Sequence, residues 1–188
     1  MAKRKVKKAS FICLLAFAVM CVLTVLNFAL PLLHTKTAAS IVGIGSSTEN
    51  DYGLFDLLDG MSDKDAGDKS DKGNAASIAF FADEEKTQAK WFTILTLITA
   101  IVAALGIVVA VIGLVMPKIG GYVKYIGVVI ALLAITTFIF AIVTTSTFTS
   151  SVGSSSTGAS FTVSLAVGSI LSLVGGIGAA IVPFVLKR

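Results

Sequence analysis

Several residue types that carry chemistry are scarce in this chain of 188 residues, which has one histidine, two cysteines and one tryptophan. The lone histidine, His34, excludes a histidine-rich metal site and the H-E-x-x-H motif of zinc peptidases. Cys13 and Cys21 lie about 12 Å apart along a helix, too far to form a disulfide with each other. The sequence therefore predicts neither a metal site nor a disulfide framework.

Charge is missing from four long stretches, which contain no Asp, Glu, Lys, Arg or His. They are residues 11–33, 91–116, 125–148 and 161–186, with lengths of 23, 26, 24 and 26 residues. A bilayer core about 30 Å thick is crossed by about 20 apolar residues of helix. The sequence thus predicts an all-α integral membrane protein, a four-transmembrane-helix bundle with a long acidic first extracytoplasmic loop. The first stretch exceeds the apolar core of about 7–15 residues in a cleaved signal peptide, so we expect it to remain.

Enzyme and nucleotide-binding motifs are missing as well. The chain has no G-x-x-x-x-G-K-[ST] loop, and the glycines at 175, 176 and 178 lie inside an apolar stretch. The acidic residues between Asp63 and Asp71 lack the spacing of a calcium-binding loop and alternate with lysines. Ion-coupled transport usually leaves an ionisable residue within the spans, and here all four spans lack one. We therefore expect no catalytic residue, no cofactor and no enzymatic activity.

The charges that are present are divided unevenly. All 11 acidic residues and six lysines lie in the connection 34–90, whose net charge is −5. The other nine basic residues lie in residues 1–10, 117–124 and 187–188. Because cytoplasmic flanks attract Lys and Arg, both termini and the 117–124 turn are predicted to be cytoplasmic in a plasma-membrane protein. Membrane topology then explains the excess of basic residues that gives the sequence a pI of about 9.1. The expected partner is the lipid bilayer, not nucleic acid.

The connections have distinct characters. Tyr52–Asp59 has the pattern of a short amphipathic helix, and Ile41–Gly45 fits either a short strand or an apolar turn. Residues 60–74 are rich in Asp, Lys, Gly and Ser, a composition that cannot bury much apolar area. Residues 149–160 are mostly Ser, Thr and Gly, typical of a flexible link. The short 117–124 turn makes spans two and three antiparallel neighbours.

Small residues recur at every fourth position in the last span, and this ladder is predicted to pack helices. Close approach of helices in lipid depends on such residues. Because the ladder drifts around the helix, it should follow a right-handed crossing or be shared between two neighbours. The packing could lie within one monomer or at a seam between subunits. The ladder consists of Ser164, Gly168, Ser172, Gly176 and Ala180.

Polar side chains within the spans are confined to the middle and outer halves. One prediction is a shallow polar cavity open to the outside, with Tyr52–Leu58 as its lid. The alternative is a dry bundle in which each hydroxyl bonds a carbonyl of its own helix. An amide in hydrocarbon needs partners, so we expect an interhelical bond from the asparagine. The candidate cavity residues are Asn27, Thr96, Thr99, Thr137 and Thr144.

The layout of four spans with a long first outer loop, a short inner turn and a shorter second outer loop resembles the claudin-like tetraspan membrane proteins. Claudins carry a W…G-L-W…C…C signature in the first outer loop. The nearest stretch here is Tyr52-Gly53-Leu54-Phe55, which has neither Trp nor Cys. The resemblance implies a topology and no residue roles.

These features favour a non-enzymatic membrane protein with a structural, assembly or interaction role. Such a protein would be an accessory subunit or a self-associating envelope protein, with a membrane-protein partner or a second copy of itself. The alternative is a small transport component whose polar substrate cavity faces outward.

Overall fold

Helices dominate the part of the chain that the computed structural model describes, which is residues 2–41, 44–62, 87–116, 119–152 and 159–186. Short 3-10 turns at Leu26–Phe28 and Ile119–Gly121 interrupt the helical regions. The five α-helices are α1 (Ala2–Val25), α2 (Leu54–Ser62), α3 (Thr87–Val115), α4 (Val123–Val152) and α5 (Val167–Val185).

The four long helices form a bundle in which each one packs against two neighbours. α1 contacts α3 and α5, and α4 contacts the same two helices from the other side. All four contain segments long and apolar enough to cross a membrane. The bundle is therefore compatible with the multi-pass membrane protein that the uncharged stretches predict.

The outward surface of the bundle is apolar. Leu105, Leu132 and Val174 are each more than half exposed, as are many other large aliphatic side chains. A water-soluble monomer rarely exposes so continuous an apolar surface, whereas lipid tails solvate one. Trp91 near the start of α3 and Tyr125 near the start of α4 are also exposed, and such aromatic side chains favour the two membrane interfaces.

A three-stranded sheet covers one end of the bundle. Its strands are β1 (Leu33–Ile41), β2 (Ile44–Tyr52) and β3 (Ala159–Leu165), in the order β2-β1-β3 with antiparallel pairing. Leu33 of β1 pairs with Tyr52 on one side and Leu165 on the other. The sheet thus joins the segment after α1 to the segment before α5. We call this end of the bundle the sheet end. The opposite end, which contains Ile119–Gly121, is called the turn end.

The sheet corrects two features of the all-helical prediction. The first predicted span, 11–33, is helical only to Phe28, and Leu33 already belongs to β1. The last predicted span, 161–186, begins in β3, and helix α5 starts at Val167. Absence of charge does not distinguish helix from strand. Pro31 stops the first helix, and 161–165 alternate apolar and polar residues, which is the strand period.

The amphipathic helix predicted at Tyr52–Asp59 corresponds to α2, although Tyr52 ends β2 and the helix begins at Leu54. Leu54 and Leu57 are buried, Phe55 is exposed, and the Asp56 carboxylate accepts a hydrogen bond of 2.8 Å from the Gly53 amide at the helix start. Of the predicted strand or turn at 41–45, Ile41 ends β1 and Ile44 begins β2, whereas 42–43 lie outside the described residues. Most of the acidic, glycine-rich segment falls in 63–86, outside the described residues, and so do 153–158 of the second predicted link.

Two apolar clusters fill the core, one towards each end. The sheet-end cluster combines residues from α2 and the sheet with α3 and α4, and the turn-end cluster is built from the four long helices. The sheet-end cluster contains Leu32, Leu33, Tyr52, Leu54, Leu57, Phe92, Ala141 and Val163. The turn-end cluster contains Leu14, Phe17, Cys21, Ala103, Ala110, Val123, Ile130 and Ala179.

A candidate polar site in the bundle

Among the side chains that the structure describes, the buried polar ones of the four long helices and the Leu26–Phe28 turn lie in the sheet-end half. Counted from the turn end of each helix, these side chains come after the residues of the turn-end cluster, and most of them come before the residues of the sheet-end cluster. This distribution matches the depth asymmetry of the sequence. The residues are Thr24, Asn27, Thr93, Thr96, Thr99, Thr137, Thr144, Ser169 and Ser172.

Asn27 is at the centre of this polar layer. It lies in the 3-10 turn that follows α1, and its side chain is 0% exposed. Its Nδ2 donates a hydrogen bond of 3.3 Å to Ser172 Oγ of α5, which is the kind of interhelical bond expected of an amide in this position. Its Oδ1 has no hydrogen-bond partner among the described residues. Leaving a buried acceptor unpaired costs about 1–3 kcal/mol.

The threonine hydroxyls mostly bond to carbonyls of their own helices. Thr96 donates to Phe92 O at 2.8 Å, and Thr137 donates to Leu133 O at 2.8 Å. The single hydroxyl hydrogen of Thr99 can point to Leu95 O at 2.7 Å or to Thr137 Oγ1 at 3.1 Å, and the second arrangement links α3 to α4. Because the hydroxyl hydrogens are largely used within the helices, lone pairs of the hydroxyl oxygens remain available to the interior.

Ser169 ties the start of α5 to the irregular segment that follows α1. Its hydroxyl donates to Leu32 O at 2.8 Å. Nearby, the Gly168 amide donates to Pro31 O at 2.9 Å, and the Ala166 amide donates to Leu32 O at 3.1 Å. The first amides of a helix have no partner within it. Here the carbonyls of Pro31 and Leu32, which lie after the end of the first helix, accept these hydrogen bonds. The segment after α1 and the segment before α5 therefore pair their backbone groups with each other.

A small, partly enclosed cavity lies within the polar layer. The space open to the centre of a water-sized sphere is about 10 Å³. Side chains of α3, α4 and α5 form its walls together with Asn27 and Leu32. Its lining consists of Asn27, Leu32, Phe92, Thr96, Ala134, Thr137, Phe138, Ala141, Ser169 and Ser172.

The structure brings three of the five candidate cavity residues, Asn27, Thr96 and Thr137, to this cavity. Thr99 lies beside it through its contact with Thr137. Thr144 is buried but does not line the cavity, and its hydroxyl has no partner among the described residues. Ser169, which the sequence-based set omitted, also lines it.

The segment expected to form a lid shares an apolar cluster with two residues that line the cavity. Leu54 and Leu57 of α2 belong to the sheet-end cluster, together with cavity-lining Leu32 and Phe92. Thr96 is 1% exposed. The polar layer is therefore covered by apolar side chains towards the sheet, and the turn-end cluster lies below it.

The small-residue ladder is divided between a strand and a helix. Ser164 lies on β3 and its hydroxyl donates to His34 O at 3.4 Å, while the other four members lie on α5. A Cβ on Gly168 would come 2.7 Å from Pro31 O, and one on Gly176 would overlap the Cβ of Ala134. Members of the ladder thus face two neighbours within the monomer. Ser172 bonds to Asn27, as described above, and Ala180 is only partly buried.

Two charged pairs cross the sheet surface between β1 and β2. His34 Nδ1 lies 2.6 Å from Asp51 Oδ1, and Lys36 Nζ lies 2.8 Å from Glu49 Oε1. The hydrogen bond and charge of Lys36 lower the pKa of Glu49, and the same bond raises the pKa of Lys36. Among the described residues, no group of three His, Cys, Asp or Glu side chains could hold a metal ion.

Comparisons with protein-family models, with curated protein sequences and with solved structures returned no match to this chain. The four apolar helices fit a tetraspan topology, but no comparison supports a claudin-like family.

Proposed function

We propose that this protein is a non-enzymatic, four-span membrane protein with a structural or interaction role, acting as an accessory subunit or a self-associating envelope protein. The observation that carries the proposal is the position of the polar layer between two apolar clusters. A transport route needs polar or ionisable groups along its whole length. In the described parts of the four helices, the turn-end half has no buried polar side chain apart from the two cysteines.

The sheet end is the proposed site of interaction. Its surface carries the exposed pairs His34–Asp51 and Lys36–Glu49, whereas the outer faces of the helices are apolar. Gly175 and Gly176 of α5 already pack against α1 and α4, so a partner that packed on them would have to displace these contacts. A membrane-protein partner or a second copy of the chain would therefore contact the sheet end.

The proposed orientation has both termini in the cytoplasm and the sheet end outside the plasma membrane. It rests on the nine basic and no acidic residues in the terminal segments and the 117–124 turn. Reporter fusions test it: a reporter inserted after Gly73 should be extracytoplasmic, and one fused after Arg188 should be cytoplasmic. An extracytoplasmic reporter at Arg188 would overturn the four-span topology.

Thiol accessibility distinguishes the structural role from the transport alternative. We expect Thr96→Cys and Ala110→Cys to resist a membrane-impermeant thiol reagent added from the sheet side, because both positions are buried. Lys36→Cys, at an exposed position of β1, should react and serves as the positive control. The unaltered protein is the blank, since Cys13 and Cys21 are buried. Labelling of Ala110→Cys from the sheet side would support transport instead.

Crosslinking in native membranes tests the interaction role. A photoreactive amino acid at Lys36 should give discrete protein adducts, because this position is on the proposed interaction surface. The matched control is Leu132, which is exposed on the apolar outer face of α4. Equal adduct patterns at the two positions, or none at Lys36, would contradict the proposed interaction surface.

A further inference from the structure

We propose that the polar cavity is a water-binding site, in which one buried water molecule bridges Asn27 to hydroxyl groups of the neighbouring helices. Nothing in the proposed structural role requires such a site. It is inferred from the hydrogen-bond balance, burial and size of the cavity.

The first observation is the unpaired amide oxygen. Asn27 is 0% exposed and lines the cavity, and its Oδ1 has no partner among the described residues. More than nine-tenths of buried polar groups in proteins are hydrogen-bonded, and buried water is a common partner. Exchanging the two terminal atoms of the amide would let Ser172 donate to Oδ1 and would leave Nδ2 without that bond. In the orientation that the structure shows, one buried atom of the Asn27 amide has no partner among the described residues.

The second observation concerns what the occupant must offer. Asn27 Oδ1 requires a donor, while the only hydrogen bond of the Ser172 hydroxyl to a described residue is the one it accepts from Asn27. The Ser172 hydrogen therefore requires an acceptor. A water molecule supplies both a donor and an acceptor. A metal cation could accept no hydrogen bond, and no carboxylate lines the cavity to offset its charge.

The third observation is size. The cavity has about 10 Å³ open to the centre of a water-sized sphere, which is close to the minimum of about 10–15 Å³ for one water molecule. A buried water typically makes two to four hydrogen bonds. Asn27 Oδ1 accepts one hydrogen bond from the water and the Ser172 hydroxyl donates one to it. The second hydrogen of the water can bond to the hydroxyl oxygen of either Thr96 or Thr137, whose own hydrogens bond to backbone carbonyls. The site would thus connect the end of α1 with α5 and with either α3 or α4.

Selective labelling offers a direct test, because the chain contains only three asparagines, Asn27, Asn50 and Asn74. Protein labelled with ¹⁵N-asparagine in nanodiscs of deuterated lipid should show three side-chain amide signals. Asn50→Ser and Asn74→Ser identify the signal of Asn27 by elimination without altering the site. The expected result is a rotating-frame Overhauser peak between the Asn27 amide protons and water, of the sign that distinguishes a bound water from chemical exchange.

Two further measurements make the test decisive. In Ser172→Ala the peak should persist, because Asn27 Oδ1 and the hydroxyl oxygen of Thr96 or Thr137 still give the water two hydrogen bonds. Loss of the peak there would mean that it was relayed by the Ser172 hydroxyl, which would overturn the proposal. Absence of the peak in the unaltered protein would mean a dry cavity. Replacing choline chloride with sodium chloride at constant ionic strength should leave the Asn27 signal unmoved, and a saturable shift would assign the site to a cation instead.

Discussion

Gly176 of α5 lies so close to Ala134 of α4 that a methyl group on the glycine would overlap the alanine Cβ. The preceding residue, Gly175, meets α1, where an added Cβ would come 2.6 Å from Thr24 Oγ1. Successive residues of a helix point about 100° apart, so the two glycines face two different neighbours. The pair lets α5 approach both α1 and α4 without a side chain in between.

Enlarging Gly176 should therefore destabilise the bundle more than enlarging an outward position of the same helix. We expect Gly176→Leu to lower the thermal stability of the purified protein, because overpacking typically costs about 1–3 kcal/mol and often more where backbone must move. Val174→Leu is the matched control, since Val174 is 53% exposed on the apolar outer surface. Similar melting temperatures and oligomer distributions for the two variants would contradict this packing.

Truncating the buried face of α2 should also be costly. Leu57 is 1% exposed within the sheet-end cluster, and removing a buried leucine side chain typically costs about 2–5 kcal/mol. We expect Leu57→Ala to lower the melting temperature and to increase thiol labelling of Thr96→Cys, because the cover of the polar layer is loosened. Phe55→Ala, at an exposed position beside Phe28, should change both quantities less. An unchanged Leu57→Ala variant would mean that α2 does not hold the cover in place.

The sequence predicted the parts of the fold that depend on long, simple patterns. Uncharged stretches identify the four long helices, and the apolar spacing at Leu54 and Leu57 identifies α2. Part of the sheet was missed because the pairing of β1 with β3 joins residues far apart in sequence. Leu33 and Leu165, for example, are paired only in the folded chain. The uncharged stretch 11–33 continues from α1 into β1, and the stretch 161–186 continues from β3 into α5, so the absence of charge did not reveal where helix and strand meet.

The sequence predicted the candidate site only in part. Asn27, Thr96 and Thr137 were expected to converge from their similar depth in the membrane, and they line one cavity. Depth does not determine which way a helix faces, so it did not separate Thr144 from the lining residues. Ser169 donates a hydrogen bond to the Leu32 carbonyl, which has no helical partner because the chain is irregular after Pro31. That relationship depends on tertiary structure and leaves no local pattern.

The hydroxyl contact between α3 and α4 should stabilise the bundle modestly. Thr99→Val preserves the shape of a side chain that is 0% exposed but removes its contact with Thr137. Such bonds between membrane helices average about 0.6 kcal/mol, with a maximum of about 1.7 kcal/mol. We therefore expect a small decrease in thermal stability. Thr136→Val is the control, because Thr136 is exposed and donates only to its own helix at Leu132 O. A larger loss in Thr136→Val would refute the assignment.

The Lys36–Glu49 pair should make the titration of Glu49 depend on Lys36. The lysine lowers the pKa of Glu49 below its ordinary value of 4.5. The contribution of the pair to stability is therefore present above about pH 4.5 and is lost as the pH falls through the lowered pKa. At the other limit, the raised pKa of Lys36 means that the contribution is lost as the pH rises through that value, above 10.5.

This effect can be measured on a single carboxyl group, because the chain contains only three glutamates, Glu49, Glu84 and Glu85. With ¹³C-labelled glutamate, the signal absent from Glu49→Gln identifies Glu49. We expect Lys36→Met to raise the titration midpoint of Glu49, and 1 M salt should raise it in the unaltered protein, because a Debye length of about 3 Å screens an exposed pair. Lys124→Met, near the turn end, should leave the midpoint unchanged. If Lys36→Met also leaves it unchanged, the pair does not form in solution.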